Sequence, residues 1–226
     1  MNAQGAINVP SVTDLDSILS LLASQLAGAR LRDAQTFARE FLRRLSAEDL
    51  AARSAADWVA LTTHALEFAR ERRAGHAKIR VFNPTAADDG YESMRTVIEI
   101  VTDDMPFLVD SVGMRVNQTG RQLHTVIHPI FRVMRDPGGN MLSLASDDAA
   151  TGVPESIMHF EIDRVAGASE LEKLKLGVLA TLDDVRESVN DWSAMRDRMF
   201  AIADELPARK MPVDADGIAE AQEFLH

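Results

Sequence analysis

Residues 98–112 read Ile-Glu-Ile-Val-Thr-Asp-Asp-Met-Pro-Phe-Leu-Val-Asp-Ser-Val, and the change of period inside them decides the fold. The first part belongs to an apolar, β-branched run, Arg95 to Thr102, that reads as a strand. Asp103, Asp104, Met105 and Pro106 then form a turn and a helix start. Residues 107–118 return to helical spacing, with Leu108, Val112 and Val116 on or near one face, and Gly120 ends the helix. Each residue type has a local reason. Pro106 presets φ at a first-turn position where a missing N–H costs nothing. Asp104 is placed to cap the free amides. Leu108 and Val112 then lock the helix onto the sheet.

Working outward, Gln122 to Met134 reads as a long strand. Its odd positions, Leu123 to Val133, are mostly apolar, and its even positions include His124, His128 and Arg132. Asp136-Pro137-Gly138-Gly139-Asn140 is a turn signal, and Met141 to Leu144 a short return strand. After a loop at 147–154, Ser156 to Val165 alternates, with Met158, Phe160 and Ile162 on one face and His159 and Glu161 on the other. Ser169 to Asn190 is a helix striped by Leu171, Leu174, Val178, Leu182 and Val185, and it runs on through Trp192, Met195, Met199 and Ile202. Upstream, Lys78 to Phe82 alternates, followed by a polar loop from Asn83 to Ser93.

The order strand, strand, helix, strand, strand, helix predicts an α+β fold: an antiparallel ferredoxin-like sheet with helices on one face and polar positions facing away from them. The usual last strand has no counterpart after the second helix. Lys78 to Phe82 is expected to fill that edge, antiparallel to Arg95–Thr102.

The chain up to about Gly75 reads as several amphipathic helices. Ser11, with Asp14 reaching back to it, starts a stripe of Val12, Leu15, Ile18, Leu19, Leu22 and Leu26, and Gly28 is its expected stop. Phe37, Phe41, Leu42 and Leu45 mark a second helix. Ser46 and Ser54 open two more, with acids in their first turns. The last, carrying Trp58, Leu61, Ala65, Leu66 and Phe68, is expected to end near Gly75. Three regions result: a helical region at 1–75, an α+β domain with a helical extension at 76–206, and a linker with the start of a further element at 207–226. Ala208 to Pro212 is the linker, and Asp216 to Leu225 the element.

Hydrophobic residues make up 46% of the 226, so a sizeable core is affordable, and with aromatics at only 5% it must be aliphatic. The net charge of −11 disfavours nucleic acid as a partner. Arg70, Arg72 and Arg73, diluted by Glu67 and Glu71, read as a solvated helix face. The absence of cysteine excludes disulfides and thiolate chemistry and fits a cytoplasmic protein. No apolar run approaches the roughly 20 residues of a membrane helix, and Met1 to Pro10 lacks the pattern of a signal peptide.

Residues 104–112 resemble the strand-to-helix junction of ACT domains, whose common pattern is Asp-x-Pro-Gly-Leu-Leu; Phe107 stands where that pattern has glycine. A wider resemblance runs through 98–112, LHTVIHPIFRV at 123–133, ESIMHFEIDR at 155–164 and LDDVRESVNDW at 182–192. In that order these segments are similar to the N-terminal part of the large bacterial NAD-specific glutamate dehydrogenases. The resemblance implies a regulatory, oligomerisation or scaffolding role within an NAD-dependent enzyme. It also implies downstream domains of the same polypeptide as partners, a homo-oligomer, and NAD bound in the parent rather than in this chain. No Gly-x-Gly-x-x-Gly fingerprint occurs here, and no residue is assigned a catalytic role.

Two sites are candidates. In ACT domains an amino-acid effector or a neighbouring subunit often meets the strand-to-helix loop, here Asp103, Asp104, Pro106, Phe107 and Leu108, with Gly120 and His124 nearby. Phe107 could fill the space where a ligand would approach the backbone, which makes a structural junction the plainer reading. His124, His128 and His159, with Glu99 and Glu161, are expected on the sheet face away from the helices, where a divalent metal is conceivable. The plainer reading is a polar face covered by a neighbouring domain, its histidines bonded to carboxylates. Asp103, Asp104 and Asp110 could do acid–base work, but a cap and a solvated helix residue explain them more simply. Met114, Met158, Met195 and Met199 read as packing.

Overall fold

The computed structural model describes residues 13–208 and 212–225. Ser11 and Val12, the leader reading at Met1–Pro10, and Arg209 to Met211 of the expected linker lie outside the described residues.

Four helices come first: α1 Leu15–Gln25, α2 Gly28–Leu42, α3 Ala47–Ala51 and α4 Ala55–Ala69. Three of their starts follow local chemistry. Ser46 accepts from the Asp49 amide and Ser54 from the Asp57 amide, as expected. The α1 cap is Asp14, in a reciprocal box with Ser17, three residues beyond the expected start at Ser11. Gly28 does not stop α1. Leu26 is the C-cap, and Gly28, at φ +62, opens α2. α4 ends at Ala69 rather than near Gly75.

The sheet comprises β1 Lys78–Phe82, β2 Thr96–Asp103, β3 Leu123–Ile127, β4 Ile130–Arg135, β5 Met141–Ser146 and β6 Val153–Ile162. Its order is β1-β2-β6-β4-β5, with β3 also on β6, and every pairing is antiparallel. β1 takes the expected edge, with Arg80 opposite Glu99. The long strand expected at Gln122–Met134 is interrupted at His128-Pro129, because proline brings no N–H to the ladder. The Pro129 carbonyl still accepts from the Ile157 amide.

α6 Leu108–Gln118 follows β2, and α7 Ala168–Glu205 follows β6. A short α5, Ala86–Asp89, lies in the polar loop, and α8, Ala215–Leu225, folds against the end of α7. Ile98, Ile100, Met158, Phe160 and Ile162 pack under α6 and α7 with Leu108, Val112, Val178 and Leu182. Those two helices lie on one face, as expected. The opposite face is not left open: the N-terminal helices close it. Phe37 and Phe41 of α2 join Phe131, Val133, Ile127 and Ile157 of the sheet in a second core, with Phe37 stacked on Phe131 at 5.1 Å. The molecule is a helix–sheet–helix sandwich, and burying two sheet faces is what supplies its two apolar cores.

Candidate functional site

The histidine face does not assemble as expected, and strand register explains why. Ile127 pairs with His159 and Thr125 with Glu161. Cross-strand partners share a face, so His159 and Glu161 lie with the odd positions of the long strand. His128, an even position, lies on the other face. His124 sits at a bulge between Leu123 and Thr125. Each histidine therefore finds its own partner. His124 Nε2 is 2.7 Å from Asp163, and His128 Nε2 is 2.9 Å from Ser156 Oγ. His159 lies between Glu99 at 3.3 Å and Glu161 at 3.4 Å. Among the described residues no group of three such side chains is placed to hold a metal ion.

What the face holds instead is a row of charged and polar groups running Arg53, Glu161, His159, Glu99, Arg80, His64 and Asp89, of which the central Glu161, His159 and Glu99 are buried. His159 is fully buried and Phe41 of α2 stands edge-on to its ring. Burial alone would lower the His159 pKa, but the Glu161 and Glu99 carboxylates overcome it and raise it. Burial likewise opposes ionisation of Glu161, and His159 with Arg53 holds it down to about 2. Glu99 is lowered too, by His159 and Arg80 against the burial penalty.

A second cluster was missed in the sequence. Arg72, expected on a solvated helix face, is 3% exposed and ties Glu155 at 2.8 Å to Asp103 at 2.7 Å. Arg135 takes both oxygens of Glu155. Helix α4 has ended before Arg72, so the side chain turns inward toward acids far along the chain.

The strand-to-helix loop departs from its expected details. Asp104 does not cap α6; its carboxylate accepts from Ser156 Oγ at 2.6 Å. The N-cap is Phe107, at φ 70, with no side-chain cap. Pro106 therefore precedes the helix rather than opening its first turn. The Phe107 ring does not fill the loop. It is 67% exposed. Leu108 opens α6 and is buried against the sheet, Gly120 (φ +74) follows the helix end, and Asp103 is occupied by Arg72. Asp110 is exposed, as expected. Asp104, Ser156 and His128 form a chain with serine in the middle. Nucleophile activation needs histidine in the middle, so this arrangement positions rather than activates. Burial lowers the His128 pKa, and nearby Arg44 adds to the effect against Asp104. Of the methionines read as packing, only Met158 is buried; Met114, Met195 and Met199 are exposed.

Two helices behind one face of an antiparallel sheet, with a positive-φ junction leading into the first of them, define an ACT-like α+β domain. Residues 37–178 match the family model described as glutamate dehydrogenase, ACT1 domain, and the chain belongs to that family. The matched span begins inside α2, so the helical cover over the charge row lies partly within the family unit. The NAD-specific glutamate dehydrogenase of Halomonas elongata is 33% identical over 214 residues, covering 93% of this chain and 13% of that protein. The NAD-specific glutamate dehydrogenase of Pseudomonas aeruginosa is 31% identical over 206 residues, covering 90% and 13%. The chain thus spans a small part of the length of these curated relatives. No described helix is long and apolar enough to cross a membrane.

Proposed function

We propose that this chain is a non-catalytic regulatory and assembly region of a cytoplasmic, NAD-dependent glutamate dehydrogenase. The parent enzyme oxidatively deaminates L-glutamate to 2-oxoglutarate, with NAD bound in other parts of the polypeptide. Downstream domains and further subunits are its partners. The observation that carries this reading is the use the fold makes of its polar residues. Glu99, His159 and Glu161 form one buried, mutually bonded group and Arg72 with Glu155 a second, which leaves them as structural ties between layers. The loop from Asp103 to Leu108 is the contact surface in this reading, because Phe107 and Met114 present exposed apolar side chains on and beside α6.

The test is an assay of glutamate-dependent NAD reduction by this chain alone and by the full-length enzyme. The full-length enzyme is expected to turn over and the isolated chain to give none. Turnover by the isolated chain would end the reading. Removing residues 1–226 from the full-length enzyme is expected to change its subunit association or effector response; an enzyme unaltered in both would also count against it.

A further inference from the structure

Helix α7 carries an apolar stripe along its length, and the stripe is covered at both ends but bare in the middle. Leu171, Leu174, Val178 and Val185 pack over the sheet. The same heptad spacing, broken by Thr181 and Ser188, continues through Trp192, Met195, Met199 and Ile202. Yet every residue from Asn190 to Met199 is exposed, Trp192 and Met195 each at 64%. Cover returns where α8 lies against the helix: Ala203 is fully buried, and Gln222 donates to its carbonyl at 2.9 Å. Leu225 of α8 reaches the groove that Met195, Met199 and Ile202 line. A helical segment without tertiary cover is marginal in water. Large apolar side chains at this spacing therefore point to a second helix laid along the bare turns.

Charge tells which kind of helix. Arg196 and Arg198 occupy the two positions that flank the stripe, where a partner helix places its ion-pairing residues. Each holds an acid of α7 itself at the surface, Asp197 at 2.8 Å and Glu205 at 3.6 Å. Such exposed pairs are worth little and exchange readily. The helix already seated at the end of the stripe is acidic: α8 carries Asp216, Glu220 and Glu223 and no base. A second copy of this chain fits less well. An antiparallel pair confined to the bare turns, Met195 of one copy against Met199 of the other, would bring like arginines together on both flanks.

We infer that the bare turns of α7 are the docking face for an acidic amphipathic helix from another part of the parent polypeptide. The curated relatives carry the matched stretch as 13% of their length, so such a parent has ample chain to supply it. The inference rests on the reading above, that this chain is part of a larger enzyme.

Limited oxidation by hydrogen peroxide, read by peptide mass spectrometry, compares the isolated chain with the full-length enzyme. Met195 and Met199 are expected to form sulfoxide roughly tenfold faster in the isolated chain, while Met158 stays protected in both. Arg196→Glu combined with Arg198→Glu should return the full-length enzyme to the fast rate without exposing Met158. A photo-cross-linking side chain in place of Met195, in full-length enzyme assembled from light and isotopically heavy chains, should join a helix of the same chain whose apolar face is flanked by Asp or Glu. Equal oxidation in the two proteins overturns the inference. So does a cross-link between light and heavy chains, or one to a segment without acidic flanks. Glutamate-dependent NAD reduction is measured on the same samples. A full-length enzyme that turns over while Met195 stays open to peroxide sinks this inference alone and leaves the function proposed above standing.

Discussion

Phe107 is the one non-glycine residue at positive φ among the described residues, at 70°. An L-residue held there costs roughly 1–2 kcal/mol, and a ring that is 67% exposed recovers little of it by burial. Strain of this kind persists where something else uses the side chain, which here is the contact proposed for α6. Phe107→Gly is therefore expected to raise the stability of the isolated chain by about 1 kcal/mol or slightly less, since glycine also gains freedom when unfolded. It should weaken subunit or domain association at the same time. Urea denaturation reads the first effect and sedimentation the second; a lower urea midpoint would mean that the ring packs after all. Phe107 was read as the first helical residue, so both its left-handed conformation and the direction of its ring were missed, although the ACT pattern carries glycine at this position. Asp104 was misread for a related reason. Its donor, Ser156, lies 52 residues away in the chain, and no local rule favours that bond over a cap. The histidines failed on register: one residue of alternation decides which face a strand position takes, and His128 falls opposite His159 by that rule.

At the level of elements, legibility followed how local each cause is. The caps at Ser46 and Ser54 close over three residues and were read correctly, as was the edge placement of β1, which needs only a hairpin. The ends of α1 and α4 were less legible, because several residues nearby can serve as stops. The junction between helical layer and sheet was not legible at all. There the chain after α4 pairs with the turn between β4 and β5. The Arg72 amide donates to the Gly139 carbonyl at 3.0 Å, and the Met141 amide to the Arg70 carbonyl at 2.7 Å. Gly139 sits at φ +91, and a β-carbon there would lie 2.5 Å from the Arg72 carbonyl oxygen. Both the conformation and the close approach demand glycine. Gly139→Ala is expected to cost about 2–4 kcal/mol and to expose Arg72, whereas Gly75→Ala, also at positive φ but in open space, should cost less. Thermal unfolding of the two variants compares them, and equal losses would show that strain alone, not the contact with Arg72, sets the cost.

On the scale of the whole molecule, the N-terminal helical layer and the sheet meet around an ionic row whose centre is buried, and its protonation couples stability to pH. His159 has its folded pKa raised above the ordinary 6.5. Its contribution is therefore complete below that ordinary value and is lost as pH rises through the folded one. Glu99 and Glu161 have lowered pKa values. Their contribution is present above the ordinary 4.5 and is lost as pH falls through the folded values, about 2 for Glu161. His64 and His128 are lowered, chiefly by burial. They work against His159, losing stability as pH falls below 6.5, so the wild-type profile alone does not isolate the row. A comparison with His159→Gln does. The variant keeps a polar group between the carboxylates but cannot carry the charge. Wild type should exceed it by a few kcal/mol near pH 5.5, on the order of breaking a buried ion pair, and the gap should narrow steadily once pH passes the folded His159 value. The groups that face this imidazole, Glu99, Glu161 and the Phe41 ring, include no cation in direct contact, so the sign of the effect rests on the two carboxylates. Denaturation midpoints of both proteins across pH 5 to 10, with an NMR titration of His159, decide it. A gap that widens with pH, or an imidazole that is neutral throughout, would show that the layers are held by a hydrogen-bonded neutral histidine instead.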